Sequence, residues 1–172
     1  MHLRDHAGQA APRPLLRIVE DEPGAEPWAD LSAGRYAVGV AVVLALAFVI
    51  RLSFTLRSDF PLNDGALFYA MVRDIQSNGY ALPAFTSFDN ARIPFGYPPL
   101  TFYLAGAVDA LTPMGLLGAL RWLPLAGSTL VVAAFAPLAR ALMRTRVAAL
   151  TATMFFAMLG PSFIWMVMGG GL

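Results

Sequence analysis

The chain has 172 residues, 58% of them hydrophobic and 13% charged, and a formal net charge of +1. A soluble domain carries about 25% charged residues; so apolar a chain excludes disorder throughout, and so balanced a charge excludes a basic field for nucleic acid. Cysteine is absent, which excludes a disulfide scaffold and a thiolate metal site.

Residues 1–34 are rich in Pro and acids (RPLLRIVEDEPGAEPWAD) and read as a disordered tail. The tail is too long and too acidic for the basic leader of a cleaved signal peptide, so the apolar run after it is expected to remain as an anchor. His2 and His6 fall in this tail and carry no ligand role. Beyond it, charge-free runs locate membrane spans, because a charge at mid-bilayer costs at least about 2.5–3.5 kcal/mol on insertion scales. Tyr36–Ile50 is uncharged and continues past Arg51 through LSFTL, giving a first span at about 36–56. Arg51 inside it reads as a snorkelling side chain.

A loop of about forty residues, 57–97, follows. Loops of that length without purpose are uncommon. Its first part has helical spacing from Asp64 to Ser77, with Phe68, Val72 and Ile75 on one side beside Leu67 and Met71, and Arg73, Asp74 and Gln76 opposite. The pattern predicts a helix on the membrane surface, ended by Asn78-Gly79. The remainder carries Tyr80, Phe85, Phe88, Phe95 and Tyr97 among prolines.

Pro98-Pro99 suits the start of a second span at about 98–117. Thr112-Pro113 inside it implies either a short helix or a kinked one. Asp109 lies in this run and is expected to face protein, with Arg121 as its partner. Two further uncharged runs, Trp122–Ala139 and Val147–Leu172, predict spans at about 121–141 and 147–168. Four crossings with the N-terminus inside put Arg4, Arg13, Arg17, Arg35 and Arg121 within, and Arg57, Arg73, Arg92, Arg140, Arg144 and Arg146 outside. That distribution opposes the usual bias and orients nothing. The chain stops at MVMGGGL, out of an apolar run, and reads as the N-terminal piece of a longer protein.

The run FPLNDGALFYAMVRDIQ, followed by IPFGYPPLTFYLAG and later ALRWLP, resembles the first external loop and flanking spans of polytopic GT-C glycosyltransferases. These include the protein O-mannosyltransferases, the lipid A aminoarabinose transferases and bacterial family 39-like proteins. The matching positions are Asp64, Tyr69 and Tyr97-Pro98-Pro99-Leu100, and the resemblance spans about residues 36–172. It departs at Asp64-Gly65, where relatives carry an Asp-Glu pair.

The resemblance implies an all-α polytopic membrane protein whose residues 35–172 form the N-terminal portion of a GT-C-like transmembrane domain. It implies sugar transfer from a polyprenyl-phosphate donor on the outer face of the plasma (inner) membrane, with inversion. The acceptor is a glycan, lipid or protein group that the sequence does not identify. Such a displacement needs a carboxylate to take the acceptor's proton, and Asp64 at the head of the loop helix is the candidate, its direction fixed by the first backbone N–H groups. Arg51, Arg57 and Arg92 lie near the external face and suit the donor phosphate. Tyr69, Asp89 and Tyr97 are candidates for lining the substrate groove, against the simpler readings of an aromatic belt and a polar turn. Asp59 and Asp74 read as solvated charges. No cofactor is predicted, although some relatives use a divalent metal. The rival readings are a non-catalytic transport or binding component, with Arg51 and Asp109 lining a path, and an inactive truncated transferase.

Overall fold

The computed structural model describes residues 30–57, 59, 64–90 and 93–163 and is mostly helical. The expected disordered tail lies almost wholly outside the described residues.

The first apolar run forms α1 (Ala33–Thr55), begun by the Ser32 hydroxyl, which accepts from the Arg35 N–H at 3.3 Å. The loop helix is α2 (Gly65–Ser77). It buries Phe68, Met71, Val72 and Ile75, the face its spacing predicted. Its end closes as Asn78-Gly79 implied: the Gly79 N–H donates to Gln76 O (3.2 Å) and the Tyr80 N–H to Ile75 O (2.8 Å), with Gly79 and Tyr80 both at φ +63°. This paired closure satisfies two carbonyls that the helix leaves free. After α2 the chain makes a two-stranded antiparallel hairpin, β1 (Phe85–Thr86) and β2 (Ile93–Pro94), which the sequence reading did not foresee.

The expected span over 98–117 is not one helix. It gives α3 (Leu100–Leu111), about 18 Å long at 1.5 Å per residue. Pro113 forces Thr112 into an extended conformation (φ −133°, ψ 154°), so the helix stops instead of kinking. The next helix, α4 (Gly115–Leu142), takes in residues assigned to two spans; Arg121 lies within it, as do Pro124 and Pro137. The last uncharged run is interrupted too. Helix α5 (Arg146–Met158) ends before Gly160-Pro161, because Pro161 has no N–H to continue the ladder.

Cross-contacts fix how these helices run. The Tyr36 hydroxyl donates to Ala136 O (3.2 Å), and Arg121 Nε to Thr55 O (3.3 Å), so α4 is antiparallel to α1. Arg146 Nη1 donates to Leu31 O (3.0 Å) and Arg51 Nη1 to Ala157 O (3.1 Å), so α5 is parallel to α1. These three helices form one bundle around Val43, Ala47, Val132 and Ala157. The first six residues of α4 precede Arg121 and therefore project beyond the end of α1. There α2 and α3 pack on Leu116, Ala119 and Leu120 through Phe68, Met71, Ile75, Phe102 and Ala105. The result is a three-helix bundle with a helical cap on one end.

Helices α1 and α4 are long and apolar enough to cross a membrane. In α1 just 17% of the most apolar stretch is buried, and Val38, Val42 and Val49 are more than half exposed. A core helix of a soluble domain would be covered by its neighbours; this face is uncovered.

Candidate loop site at the capped end

Asp64 occupies the position before the first residue of α2 and is exposed. Its side chain makes no capping hydrogen bond, contrary to the expectation that backbone N–H groups hold it. The reason is its backbone. At φ −78° and ψ 4° it lacks the extended geometry that turns a capping side chain back over the first turn. The backbone carbonyl still accepts from the Phe68 N–H (2.9 Å), so the residue is anchored while its carboxylate points elsewhere.

Tyr97 comes to the same end of α2. Its ring meets Phe68 edge-on at 5.2 Å, and the Phe68 and Phe102 rings meet at a tilt of 54° with centroids 5.5 Å apart. Tyr97, itself exposed, thus meets through Phe68 the aromatic cluster under the first turn of α2. Tyr69 instead faces along the helix to Arg73, whose Nε and Nη2 both donate to its hydroxyl at 3.4 Å. Arg57 lays its guanidinium on the Phe54 ring, 4.2 Å from the centroid. Among the described residues, no hydrogen bond or ion pair joins Arg57 to Asp64. Arg92 and the Asp89 side chain lie outside the described residues. Asp59 pairs with Arg121 at 3.5 Å from a fully exposed position.

Two groups matter more than the sequence suggested. Asp74 is no free surface charge: its carboxylate accepts from the Ser87 N–H (2.8 Å), the Ser87 hydroxyl (2.6 Å) and the Thr86 hydroxyl (2.8 Å). Burial pushes this carboxyl up, but the Ser87 and Thr86 donors together outweigh it and hold it below the ordinary carboxylate range. This side chain pins the hairpin to α2.

Asp109 is the second. It pairs with Arg73 (3.5 Å) and accepts from Gln76 Nε2 (2.8 Å), not from Arg121 as expected, because α3 turns that face to α2. Gln76 Nε2 and the Tyr80 hydroxyl also donate to Gly106 O, at 3.3 and 3.2 Å. The Tyr69 hydroxyl, and then Asp109, raise the Arg73 guanidinium further above its ordinary value. Spacing did hold a signal for this contact: Tyr69, Arg73 and Gln76 fall on one helical face, and Asp109 is the one acid in an apolar run.

Chemically, the capped end offers, among the described residues, an exposed Asp64 carboxylate without a capping bond, on a helix fastened at two points through Asp74 and Gln76. Among the described residues no three His, Asp or Glu side chains converge on a metal position. No protein-family profile, curated protein or solved structure matches the chain.

Proposed function

We propose that the chain is an integral membrane glycosyltransferase that moves a sugar from a polyprenyl-phosphate donor to an acceptor hydroxyl on the outer face of the membrane. The observation that carries the reading is Asp64. Its carboxylate is exposed and free of any capping bond, yet its backbone is fixed at the head of α2, where its carbonyl accepts from the Phe68 N–H. Asp74 and the Gln76–Asp109 contact fasten the other end of that helix. A general base must be held in direction and left free to accept a proton.

In the proposed reaction the acceptor oxygen attacks the anomeric carbon as Asp64 takes its proton. The bond from that carbon to the phosphate oxygen breaks, and the polyprenyl phosphate leaves with the electron pair. One displacement inverts the centre. Arg57 and Arg92 supply charge for the leaving phosphate, and Tyr69, Asp89 and Tyr97 border the sugar and acceptor.

The packing directions support a specific orientation. With α1, α4 and α5 crossing and α3 remaining in the cap, Arg4, Arg13, Arg17, Arg35, Arg140, Arg144 and Arg146 share the N-terminal side. Arg57, Arg73, Arg92 and Arg121 share the loop side. Seven against four agrees with a cytoplasmic N-terminus and an external loop. The exposed faces of α1 then meet lipid.

The rival transport path through Arg51 and Asp109 is less favoured, since Arg51 Nη1 and the Asp109 carboxylate both bond within the protein. The test is donor turnover by the protein in nanodiscs. Consumption of a polyprenyl-phosphate hexose with an inverted product supports the reading; an untouched donor or a retained configuration removes it.

A further inference from the structure

Helix α4 changes the face it buries partway along. Its first turns bury Leu116, Ala119 and Leu120 against the cap. From Pro124 onward it buries Leu125, Ser128, Val132 and Ala136, with Val132 in the bundle core. Leu116 and Leu125 are nine residues apart, as are Ala119 and Ser128. At 3.6 residues per turn, each of these pairs points to opposite sides. Cap and bundle therefore hold α4 from opposite sides, in succession along its length, and α4 is the main contact of α2 and α3 with the bundle.

The changeover is also where the backbone ladder is weakest. Pro124 has no N–H to give to the Leu120 carbonyl. One turn on, the Ser128 hydroxyl (3.1 Å) and the Thr129 hydroxyl (2.8 Å) both donate to the Leu125 carbonyl, in competition with the backbone N–H of that turn. Gly127 lies between, and a Cβ there would meet nothing within 4 Å. Proline and Gly-Ser pairs are the usual sites of helix bending, and residues 124–128 contain both.

One side chain bridges the changeover from outside the helix. Arg121, on the cap side of Pro124, donates through Nε to Thr55 O at the end of α1 (3.3 Å) and pairs with Asp59 (3.5 Å). Asp59 is fully exposed, so this ion pair is of the weak kind.

From these observations we infer that the cap rocks as one body on the bundle about a hinge at residues 124–128, with Arg121 as its latch. The aromatic cluster of Phe68 and Phe102 and the Gln76–Asp109 bond hold α2 and α3 together during the swing. The hinge stands on the fold alone; its consequence rests on the transferase reading. Arg57 follows the end of α1 and Asp64 heads α2, so rocking sets the gap between the proposed phosphate cation and the proposed base.

The chain has no cysteine, so spin labels at Ser53→Cys on α1 and Ser77→Cys on α2 report the swing by pulsed electron paramagnetic resonance, with the full chain in nanodiscs. The otherwise unaltered protein gives a broad distance distribution. Pro124→Ala restores the missing N–H and Gly127→Ala stiffens the backbone into open space; together they narrow the distribution to about half that width. Should Pro124→Ala fail to fold, Gly127→Ala alone still narrows it. Arg121→Gln removes the ion pair, broadens the distribution and shifts its mean. A pair within the cap, Ser77→Cys with Leu100→Cys, keeps one narrow width in every background. No donor enters the measurement, so failure of the transferase reading leaves it unaffected. An unaltered protein as narrow as the stiffened variants, a distribution that Arg121→Gln does not move, or an equal spread within the cap overturns the inference.

Discussion

Arg51 and Ala157 are joined by a 3.1 Å hydrogen bond that stands in for one the backbone does not make. In a continuing helix the Ala157 carbonyl would accept from the N–H of residue 161, but that residue is proline. Arg51 fills the place from α1. It is 1% exposed, its Nη1 also reaches Ala47 O (3.1 Å), and Phe163 covers its face at 4.2 Å. A cation at a helix C-terminus also complements the helix dipole. Arg51 is therefore an inward-facing cap and not the snorkelling side chain its position suggested.

This contact predicts a coupling. Arg51→Leu leaves a buried carbonyl without a donor, at a cost of about 1–3 kcal/mol. Pro161→Ala restores an N–H at the position α5 needs, so the same Arg51 substitution should then cost less by about 1 kcal/mol or more. Unfolding of the four proteins in mixed micelles measures it. Equal costs in both backgrounds would show that Arg51 does not serve that carbonyl.

Asp74 gives the loop a pH dependence of defined sign. Its carboxyl is held below the ordinary range in the folded chain, so its contribution is complete above about pH 3.9, the usual unfolded value. That contribution is lost as the pH falls through the lowered folded value. Hydrogen exchange at the Ser87 N–H should show protection at neutral pH that declines in acid below that point. Asp74→Ala should show the unprotected behaviour already at pH 7. Protection unaltered in that variant would mean the hairpin is held by something else.

Cysteine accessibility separates the two orientations. With three crossings, Ser77→Cys reacts with an impermeant thiol reagent in intact cells, while Met143→Cys reacts only after the membrane is opened. Four crossings would place both on the outside. Labelling of both positions from outside would restore the four-span arrangement.

What the sequence shows here depends on whether the cause is local. The buried face of α2 and its closure at Asn78-Gly79 follow from spacing and from glycine's tolerance of positive φ, and both are found. Hydropathy is blind to where a backbone N–H is missing, so it merged Leu100–Leu111 with the residues that open α4 and overran the end of α5 at Pro161. Missing the first of these breaks moves Arg140, Arg144 and Arg146 to the opposite side in a crossing count. The role of Asp74 was invisible for another reason: its donors, Thr86 and Ser87, lie more than ten residues away in a hairpin that periodicity does not announce. Asp64 was placed at the head of its helix by residue type, whereas the freedom of its carboxylate is set by a backbone angle no side chain announces.

That freedom makes Asp64→Asn the most direct test of the transferase reading. Because the carboxylate makes no capping bond, the substitution should change stability by no more than about 0.5 kcal/mol. Loss of a general base should lower turnover of a polyprenyl-phosphate sugar by about 10²-fold or more. The measurement is turnover in nanodiscs, wild type against Asp64→Asn, with unfolding midpoints recorded on the same samples. A large fall in turnover at an unchanged midpoint is the predicted result; near-normal turnover in the folded variant would contradict the account.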